Sequence, residues 1–569
     1  MFMKSDRFET FKKYSIIPET LVGIIVFFII WKMNRLRFET NDDFLIQGLI
    51  SGQFTGGKGV IWIFQYNHYL LNMVICVLNR IIPGISWYGI ILVAMNYLSF
   101  LFSVNSLCSK AKSFIDYLFT SAAFSALFWG MIWYLHSRIQ YTATAEIAAI
   151  LGYVCFAFCE KRTRGCIYFC CLEAFAFFIR PNAMLLMIPM GLVIMLFSLD
   201  SIEKLFSREG LRVLAPGVMC LIGLVIIGEI SLTLPMINSE YREANECNEA
   251  RMQMFDYTGV PQYDEISDLL NNITKEKYDA FNLYMILDWD CSDESLQKVA
   301  EYSKGQTAHP GFVEVIESSF DVLFKNPFGK ISIVLPALLS FALLSVILSG
   351  KYKMLVQVVL FHVATGISLG YIVYNGRTPG RVTHPIVFSY AVFLVCVCIK
   401  ALSLMEEKHA IGILKRITMV VAVAAVVFFS GISARNQYGY IKEKMQSEKL
   451  LNEQYRQIEG FCNNNPQNLY IISHELYTYT SFSTFERFKK GNFIFSGGWY
   501  SLLPESLEYV SEYLDQKKKC YFVISEETQD FVREGKLQYL GQYFDMEPEI
   551  ADEFITATGG KCLVYCVRK

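Results

Sequence analysis

A chain of 569 residues that is 53% hydrophobic, 15% aromatic and only 18% charged, with a positive mean hydropathy, is too apolar for one soluble core and too long for one domain. Its formal net charge of −2 gives no basic field over the molecule and excludes nucleic acid as an expected partner. Many of the 16 Cys sit inside apolar runs, among them Cys155, Cys159, Cys166, Cys170, Cys171, Cys396 and Cys398, where cysteine behaves as a small hydrophobe. No CxxC pair lies beside His ligands, which leaves a zinc site little support.

In chain order, Lys4, Arg7, Lys12 and Lys13 precede the first apolar run, which is followed by Lys32 and Arg35 rather than by a small-residue cleavage site. The run therefore reads as a retained first span, about Ile16 to Met33. Short-loop Lys and Arg prefer the cytoplasm, which places the N-terminus inside and outer loop 1, about 35–64, outside. Gln65 to Ile82 is apolar but broken by Asn67, His68, Asn72, Asn79 and Arg80 and closed by Pro83-Gly84. It is predicted to lie at the outer interface. Span 2 (Trp87 to Leu107) delivers Lys110 and Lys112 to the cytoplasm. Span 3 (Phe114 to Leu135) exits at Arg138, and span 4 (Thr142 to Cys159) returns to Lys161, Arg162 and Arg164. Spans 5 (Cys166 to Ile179) and 6 (Ala183 to Leu199) are shorter than the ~20 residues a bilayer asks for and suggest a tilted hairpin around Arg180-Pro181. Span 7 (Val213 to Leu234) leads into a large outer loop, about 235–326, with the acidic cluster Asp288, Asp290, Asp293 and Glu294. Spans 8 (Phe328 to Leu348), 9 (Met354 to Tyr374), 10 (Val382 to Ile399) and 11 (Ile417 to Ala434) follow, with Lys351, Lys353, Lys400, Lys408, Lys415 and Arg416 left inside.

From Arg435 the tail is outside. A charged helical stalk, Tyr440 to Glu459, precedes strand-like runs at Leu469 to Ile472, Phe493 to Phe495, Cys520 to Ile524 and Cys562 to Val567, which alternate with polar helical segments such as Leu507 to Lys519. That rhythm predicts a small α/β layer. Its Cys462, Cys520, Cys562 and Cys566 either pair outside the cell or end buried strands. The expected fold is thus a mainly α membrane protein: a polytopic bundle of about 11 spans over 1–434, with an extracytoplasmic soluble α/β domain over 435–569.

A first span followed at once by an outer loop bearing the adjacent acids of Glu39-Thr40-Asn41-Asp42-Asp43, a second outer turn with another acid, an Arg-Pro hairpin, a large outer loop after span 7 and an outer soluble tail together resemble the GT-C superfamily. These are polytopic glycosyltransferases that use polyprenyl-phosphate-linked sugars, such as protein O-mannosyltransferases and the aminoarabinose transferase of lipid A. The Lys-Pro-Pro that follows the first loop in the aminoarabinose transferases is absent here. The resemblance implies a sugar transferase of the cell envelope whose partners are a polyprenyl-phosphate-linked sugar, membrane lipids and an acceptor saccharide, lipid or protein. It also sets Glu146 on the second acidic position, which in some members helps hold a metal or the acceptor.

The chemistry can be stated without the family. A sugar on a lipid phosphate already has a good leaving group; what it lacks is a deprotonated acceptor hydroxyl and a counter-charge for the departing phosphate. An interfacial carboxylate supplies the first as general base, and guanidinium forks supply the second. Asp42 and Asp43 are the base candidates: about 100° apart on a helix-starting turn, one faces a site while the other caps the helix. Asn41 or Asp42 as a plain N-cap is the competing reading. Glu39, His68 and Arg138 are auxiliary candidates, with His68 more often an interfacial hydrogen-bonder in such a setting. Gly52, Gly56, Gly57 and Gly59 with Lys58 read as a connecting loop, because the order of a phosphate-binding fingerprint is missing. Arg180, Arg377 and Arg381 emerge on the outer side, where they either bind a lipid phosphate or anchor headgroups. No cofactor is certain. A divalent ion needs about six oxygens, of which Asp42, Asp43 and Glu146 offer three; alternatively Glu146 pairs with Arg138. Glu173 and Glu229 lie deeper and read as packing contacts or a proton path.

Three function classes stay open: a lipid-sugar-dependent glycosyltransferase, a transporter or flippase of lipid-linked saccharide, and a non-catalytic envelope-assembly scaffold. No internal repeat of the kind transporters show is visible.

Overall fold

The computed structural model describes residues 8–9, 11–12, 14–64, 66–199, 202–287, 289–324, 331–404, 409–478, 480–486, 491–516 and 519–568. Lys4, Arg7, Lys13, Gln65, Asp288, Phe328 and Lys408, on which the sequence expectations draw, lie outside them. The chain divides into two compact units. One comprises Met1–Leu36, Ile90–Gly228 and His309–Glu443; the other comprises Arg37–Gly89, Glu229–Ala308 and Lys444–Lys569.

The first unit is a helical membrane body. Among the described residues nine helices are long and apolar enough to cross a membrane: Ile16–Asn34, Trp87–Ser109, Phe114–Met131, Tyr141–Phe158, Pro181–Ser198, Arg208–Ile237, Met354–Tyr374, Gly380–Ser403 and Ile417–Asn463. The chain is a multi-pass membrane protein. The expected count of 11 is not reproduced, and the difference has two causes. Predicted span 5 is the helix Arg162–Ile179, which carries Arg162, Arg164 and Glu173 in 18 residues. Predicted span 8 counts only through its described part, the shorter apolar helix Leu335–Ser349.

Tyr141–Phe158 is the centre of this body, every residue of it buried. Ala143, Ala145, Ala148, Ala149 and Gly152 give it a slim profile, which is how apolar helices approach closely when lipid offers them no hydrophobic drive to associate. Its Tyr153 ring lies where a Cβ on Gly191 would stand, 2.2 Å from ring carbon Cε2. Tyr153 is fully buried and has nowhere to turn. Gly191→Ala is therefore expected to destabilise the protein by about 1–3 kcal/mol, read as a lowered unfolding midpoint in detergent. Gly223→Ala, where no atom lies within 4 Å of the added carbon, should leave the midpoint unchanged.

The second unit holds the segments expected as outer loops and the tail. Its sheet comprises β1 (Leu469–Ile472), β2 (Phe493–Phe495), β3 (Cys520–Ser525), β4 (Glu549–Ile555) and β5 (Lys561–Arg568), in the order β2-β1-β3-β5-β4. β1 runs parallel to β2 and β3, and β5 runs antiparallel to β3 and β4. Alternation of period two points Leu469, Ile471, Phe522, Ile524, Leu563 and Tyr565 into one core with Tyr539 and Leu540 of the helix Asp530–Phe544. β4 is exposed along most of its length and carries Glu549, Asp552 and Glu553, as suits an edge strand that must refuse further pairing. The stalk is the last part of one unbroken helix, His409–Asn463. Cys462, Cys520, Cys562 and Cys566 are all free and buried; the last three lie in strands, whereas Cys462 sits in the last turn of that helix. Gln65 to Ile82 contains the 13-residue helix Tyr69–Ile81, too short to span, with Leu71, Asn72, Ile75 and Cys76 buried and Met73, Val74, Val77 and Ile81 exposed.

Candidate functional site

The adjacent acids lie at the start of the helix Asn41–Ser51. The residue in the N-cap position is Thr40, in extended conformation, so neither Asn41 nor Asp42 is the plain cap. The Thr40 hydroxyl donates to Asp43 Oδ2 at 3.1 Å, and the Tyr88 hydroxyl donates to Asp43 Oδ1 at 2.9 Å. Asp43 is fully buried. Both its oxygens are thus held by hydroxyls, an arrangement that fixes the entry to the helix.

Asp42 differs. It is half-buried, and its Oδ1 accepts a hydrogen bond from Trp499 Nε1 at 3.0 Å. Both acids lie in the first turn, where the helix dipole favours negative charge. Trp499 opens a short 3-10 turn, Trp499–Leu502, just past β2. The approach to that turn is Ser496-Gly497-Gly498. A Cβ on Gly497 would stand 2.0 Å from the Tyr284 carbonyl oxygen, and Gly498 has φ of 123°, so both positions require glycine. Ser496 pins the same corner by donating its hydroxyl to Tyr284 O at 3.1 Å and accepting Ile286 N–H at its carbonyl at 2.7 Å. The Tyr66 ring lies 4.5 Å from the Trp499 ring, centroid to centroid. Tyr477 donates its hydroxyl to Gly497 O at 3.0 Å and feels the Asp42 charge. Burial first, and then neighbouring charges, push its phenol well above the ordinary range. Asp42 therefore has one oxygen anchored by Trp499, whose ring is in turn packed by Tyr66.

The auxiliary residues take other roles. His68 is the N-cap of Tyr69–Ile81, and its Nδ1 accepts the Leu70 N–H at 3.3 Å. Burial pushes its pKa down, which keeps the ring neutral and commits that nitrogen to the cap. Glu39 is partly buried immediately before Thr40. Lys58 of the glycine loop is an exposed cation bonded to Glu508 and Glu512, each at 3.0 Å, consistent with a connecting loop.

The remaining predicted residues belong to the membrane unit. Glu146 lies in the second turn of Tyr141–Phe158, fully buried, with neither carboxylate oxygen hydrogen-bonded among the described residues. The Arg138 pairing is thus not seen as a hydrogen bond. Arg138, only 2% exposed, instead donates to the carbonyls of Asn34, Arg35 and Ser137 at 3.2–3.4 Å. Arg180 caps the helix Pro181–Met195 with its guanidinium 5.5 Å from the Tyr141 ring, and its charge acts on Glu146. Arg377 and Arg381, half-buried, flank the Pro379 cap of Gly380–Ser403. Among the described residues no group of three or more His, Cys, Asp or Glu is arranged to hold a metal ion.

The sequence reading missed Tyr88, Tyr477 and Trp499. The Gly497-Gly498-Trp499 run was the available signal, since paired glycines before a large aromatic mark a turn that sets the ring in place.

No protein-family model and no curated protein matches the chain. Among solved structures it is similar to ArnT from Cupriavidus metallidurans bound to undecaprenyl phosphate, at 10% identity and a TM-score of 0.41, covering 97% of this chain and 98% of that one. It is similar also to the apo state of the same protein, at 10% identity and a TM-score of 0.36, covering 98% of each chain.

Proposed function

We propose that this chain is a glycosyltransferase that moves a sugar from a polyprenyl-phosphate-linked donor to an acceptor on the extracytoplasmic side of the membrane, with Asp42 as general base. The supporting observation is the division of labour between the two acids. Asp43 spends both oxygens on Thr40 and Tyr88, while Asp42 is half-buried and anchored at Oδ1 by Trp499. A carboxylate so placed, eight residues after the Ile16–Asn34 span ends, suits proton abstraction at a membrane boundary. In the step proposed, the acceptor hydroxyl gives its proton to Asp42 and its oxygen forms a bond to the anomeric carbon. The bond from that carbon to the phosphate oxygen breaks, and the electron pair leaves with the lipid phosphate. Arg180, Arg377 and Arg381 are the candidates to bind that phosphate, because a planar guanidinium stays charged and matches phosphate oxygens. Glu146 is the candidate second acid. The sidedness follows from the short basic loops, and the tail from Arg435 onward is accordingly assigned to the extracytoplasmic side.

The test is sugar transfer by the purified full-length protein in nanodiscs, from a panel of polyprenyl-phosphate sugars, with release of lipid phosphate measured alongside product. Transfer from at least one donor is expected. Movement of lipid-linked saccharide across vesicles with no glycosidic bond made would overturn the reading in favour of a transporter. A further expected result concerns Trp499. Trp499→Phe keeps a ring against Tyr66 but removes the N–H donor to Asp42. A hydrogen bond to a charged group is worth about 1.5–3 kcal/mol, so kcat should fall by about tenfold or more with KM little changed.

A further inference from the structure

The second unit contains a cavity of about 630 Å3 that the proposed chemistry does not use. It lies wholly within Arg37–Gly89, between the last turn of the helix Asn41–Ser51, the helix Tyr69–Ile81 and the turn that leads to Trp87. The polar and aromatic side chains around it are Gln47, Ser51, Gln53, Asn79, Trp87 and Tyr88. Among the described residues that line it there is no Asp, Glu, Lys, Arg or His.

The backbone here is shaped by glycine. Gly52 ends its helix with φ of 78°, and a Cβ on it would stand 2.7 Å from the Gly57 carbonyl carbon, so the loop folds back beside the cavity only with glycine at that position. Gln47 is held at both ends of its amide: Nε2 donates to Glu486 O at 3.2 Å, and Oε1 accepts the Ser86 hydroxyl at 2.7 Å. Gln53 is not. Its side chain is buried, at 3% exposure; Nε2 donates to Glu459 Oε1 over a long 3.5 Å, and Oε1 has no hydrogen-bond partner among the described residues. An amide oxygen buried and left unpaired is costly, and it asks for a donor from outside the chain.

The lining selects that donor by what it offers. Amides and a hydroxyl both donate and accept, and they stand here beside two aromatic rings with no formal charge among them. Such a surface matches a molecule with several hydroxyls on an apolar C–H frame, which is a sugar ring; a phosphate or an ammonium group finds no counter-charge among the lining residues described. We propose that the cavity binds an uncharged sugar unit of an acceptor glycan, at a distance from the unit that reacts. The donor sugar is excluded because its anomeric carbon must meet the acceptor at Asp42, and Asp42 and Ser51 stand at opposite ends of one helix, about 14 Å apart by the rise of an α-helix. The two places are linked through Tyr88, whose ring lines the cavity and whose hydroxyl holds Asp43. Assignment to the acceptor rests on the role proposed for Asp42; the binding of a neutral sugar does not.

The experiment uses full-length protein in nanodiscs and saturation-transfer difference NMR. The probes are the methyl glycosides of glucose, galactose and mannose, each beside its uronate counterpart. At least one neutral glycoside is expected to bind, with its uronate about tenfold weaker or more, since the cavity offers a buried carboxylate no partner. Gln53→Leu, which keeps the size and removes the amide, should weaken that binding by about fivefold or more. Asn79→Trp, which fills the cavity from a half-buried position, should abolish it, with both variants unfolding at the native midpoint. Asp42→Asn should leave it unchanged. Absence of binding by all three neutral glycosides would overturn the proposal, as would equal binding of the uronates or a Gln53→Leu variant that binds as the native protein does. Loss of binding in Asp42→Asn would put the sugar at the reacting centre and overturn the distal placement. Binding without sugar transfer would leave the sugar site standing and remove the transferase reading, whereas transfer without such binding would do the reverse.

Discussion

Asp42→Asn is expected to cut sugar transfer by about 10²–10⁴-fold, the range a positioned general base contributes, with KM and the unfolding midpoint nearly unchanged. The substitution keeps shape and keeps an oxygen for the Trp499 N–H, while removing the basicity that takes the acceptor's proton. Its value lies in the comparison with Asp43→Asn. Both Asp43 oxygens accept hydroxyl protons, from Thr40 and Tyr88, in a fully buried position. An amide there presents one acceptor and one donor, so one hydroxyl must rotate or lose its partner, at a cost of about 1–3 kcal/mol. Asp43→Asn should therefore lower the midpoint, with activity falling only as far as the folded fraction does. Turnover measured beside thermal unfolding in detergent separates the two. Loss of turnover in the Asp43 variant at a normal midpoint, with the Asp42 variant active, would reverse the assignment.

The membrane body was legible because an apolar run of spanning length has few other uses in a chain this rich in hydrophobes. Spans were harder to delimit where charge and apolarity mix. Arg162, Arg164 and Glu173 share one helix that remains buried along Leu172, Ala176 and Phe177. In the tail, β1, β2, β3 and β5 announced themselves as runs such as Leu469-Tyr470-Ile471-Ile472, whereas β4 did not. Its Glu549, Asp552 and Glu553 are the residues that protect an edge, and they resemble loop composition. At the site, the acids were found from their place after the first span, but their different duties were not readable. Those duties are set by Tyr88 and Trp499, residues 45 and 457 positions away, and no local pattern reports a contact that distant.

The second large effect is expected at Glu475→Gln. β1 lies between β2 and β3, parallel to both, and its carboxyl end turns directly into Ser473, His474 and Glu475. The Lys536 side chain, wholly shielded from solvent, reaches this turn from the helix Asp530–Phe544. Its Nζ lies 2.6 Å from Glu475 Oε1, 2.9 Å from Ser473 Oγ and 3.3 Å from His474 Nδ1. Burial alone would raise Glu475, but His474 and the Lys536 charge outweigh it and hold the carboxyl well below the usual carboxylate range. Lys536 is drawn down by burial and held up by Glu475. Removing one partner of a buried pair strands the other, which costs about 3–5 kcal/mol, so Glu475→Gln should strongly lower the unfolding midpoint of the full-length protein. Lys536→Met, which fills the same space and leaves behind a carboxylate that is 26% exposed, should cost less. The pH dependence has a definite sign. A carboxyl depressed in the folded state stabilises the protein above its unfolded pKa of about 4.3, and that contribution is lost as pH falls below it toward the folded value. The native protein should therefore lose stability between about pH 4.5 and 3, and the Gln variant, already without this contribution, should lose less over the same interval. The turn also carries Tyr477, which holds the Gly497 carbonyl beside Trp499. Collapse of the Lys536 pair should consequently reach Asp42 through that corner, and the Gln variant should lose turnover at temperatures below its own midpoint.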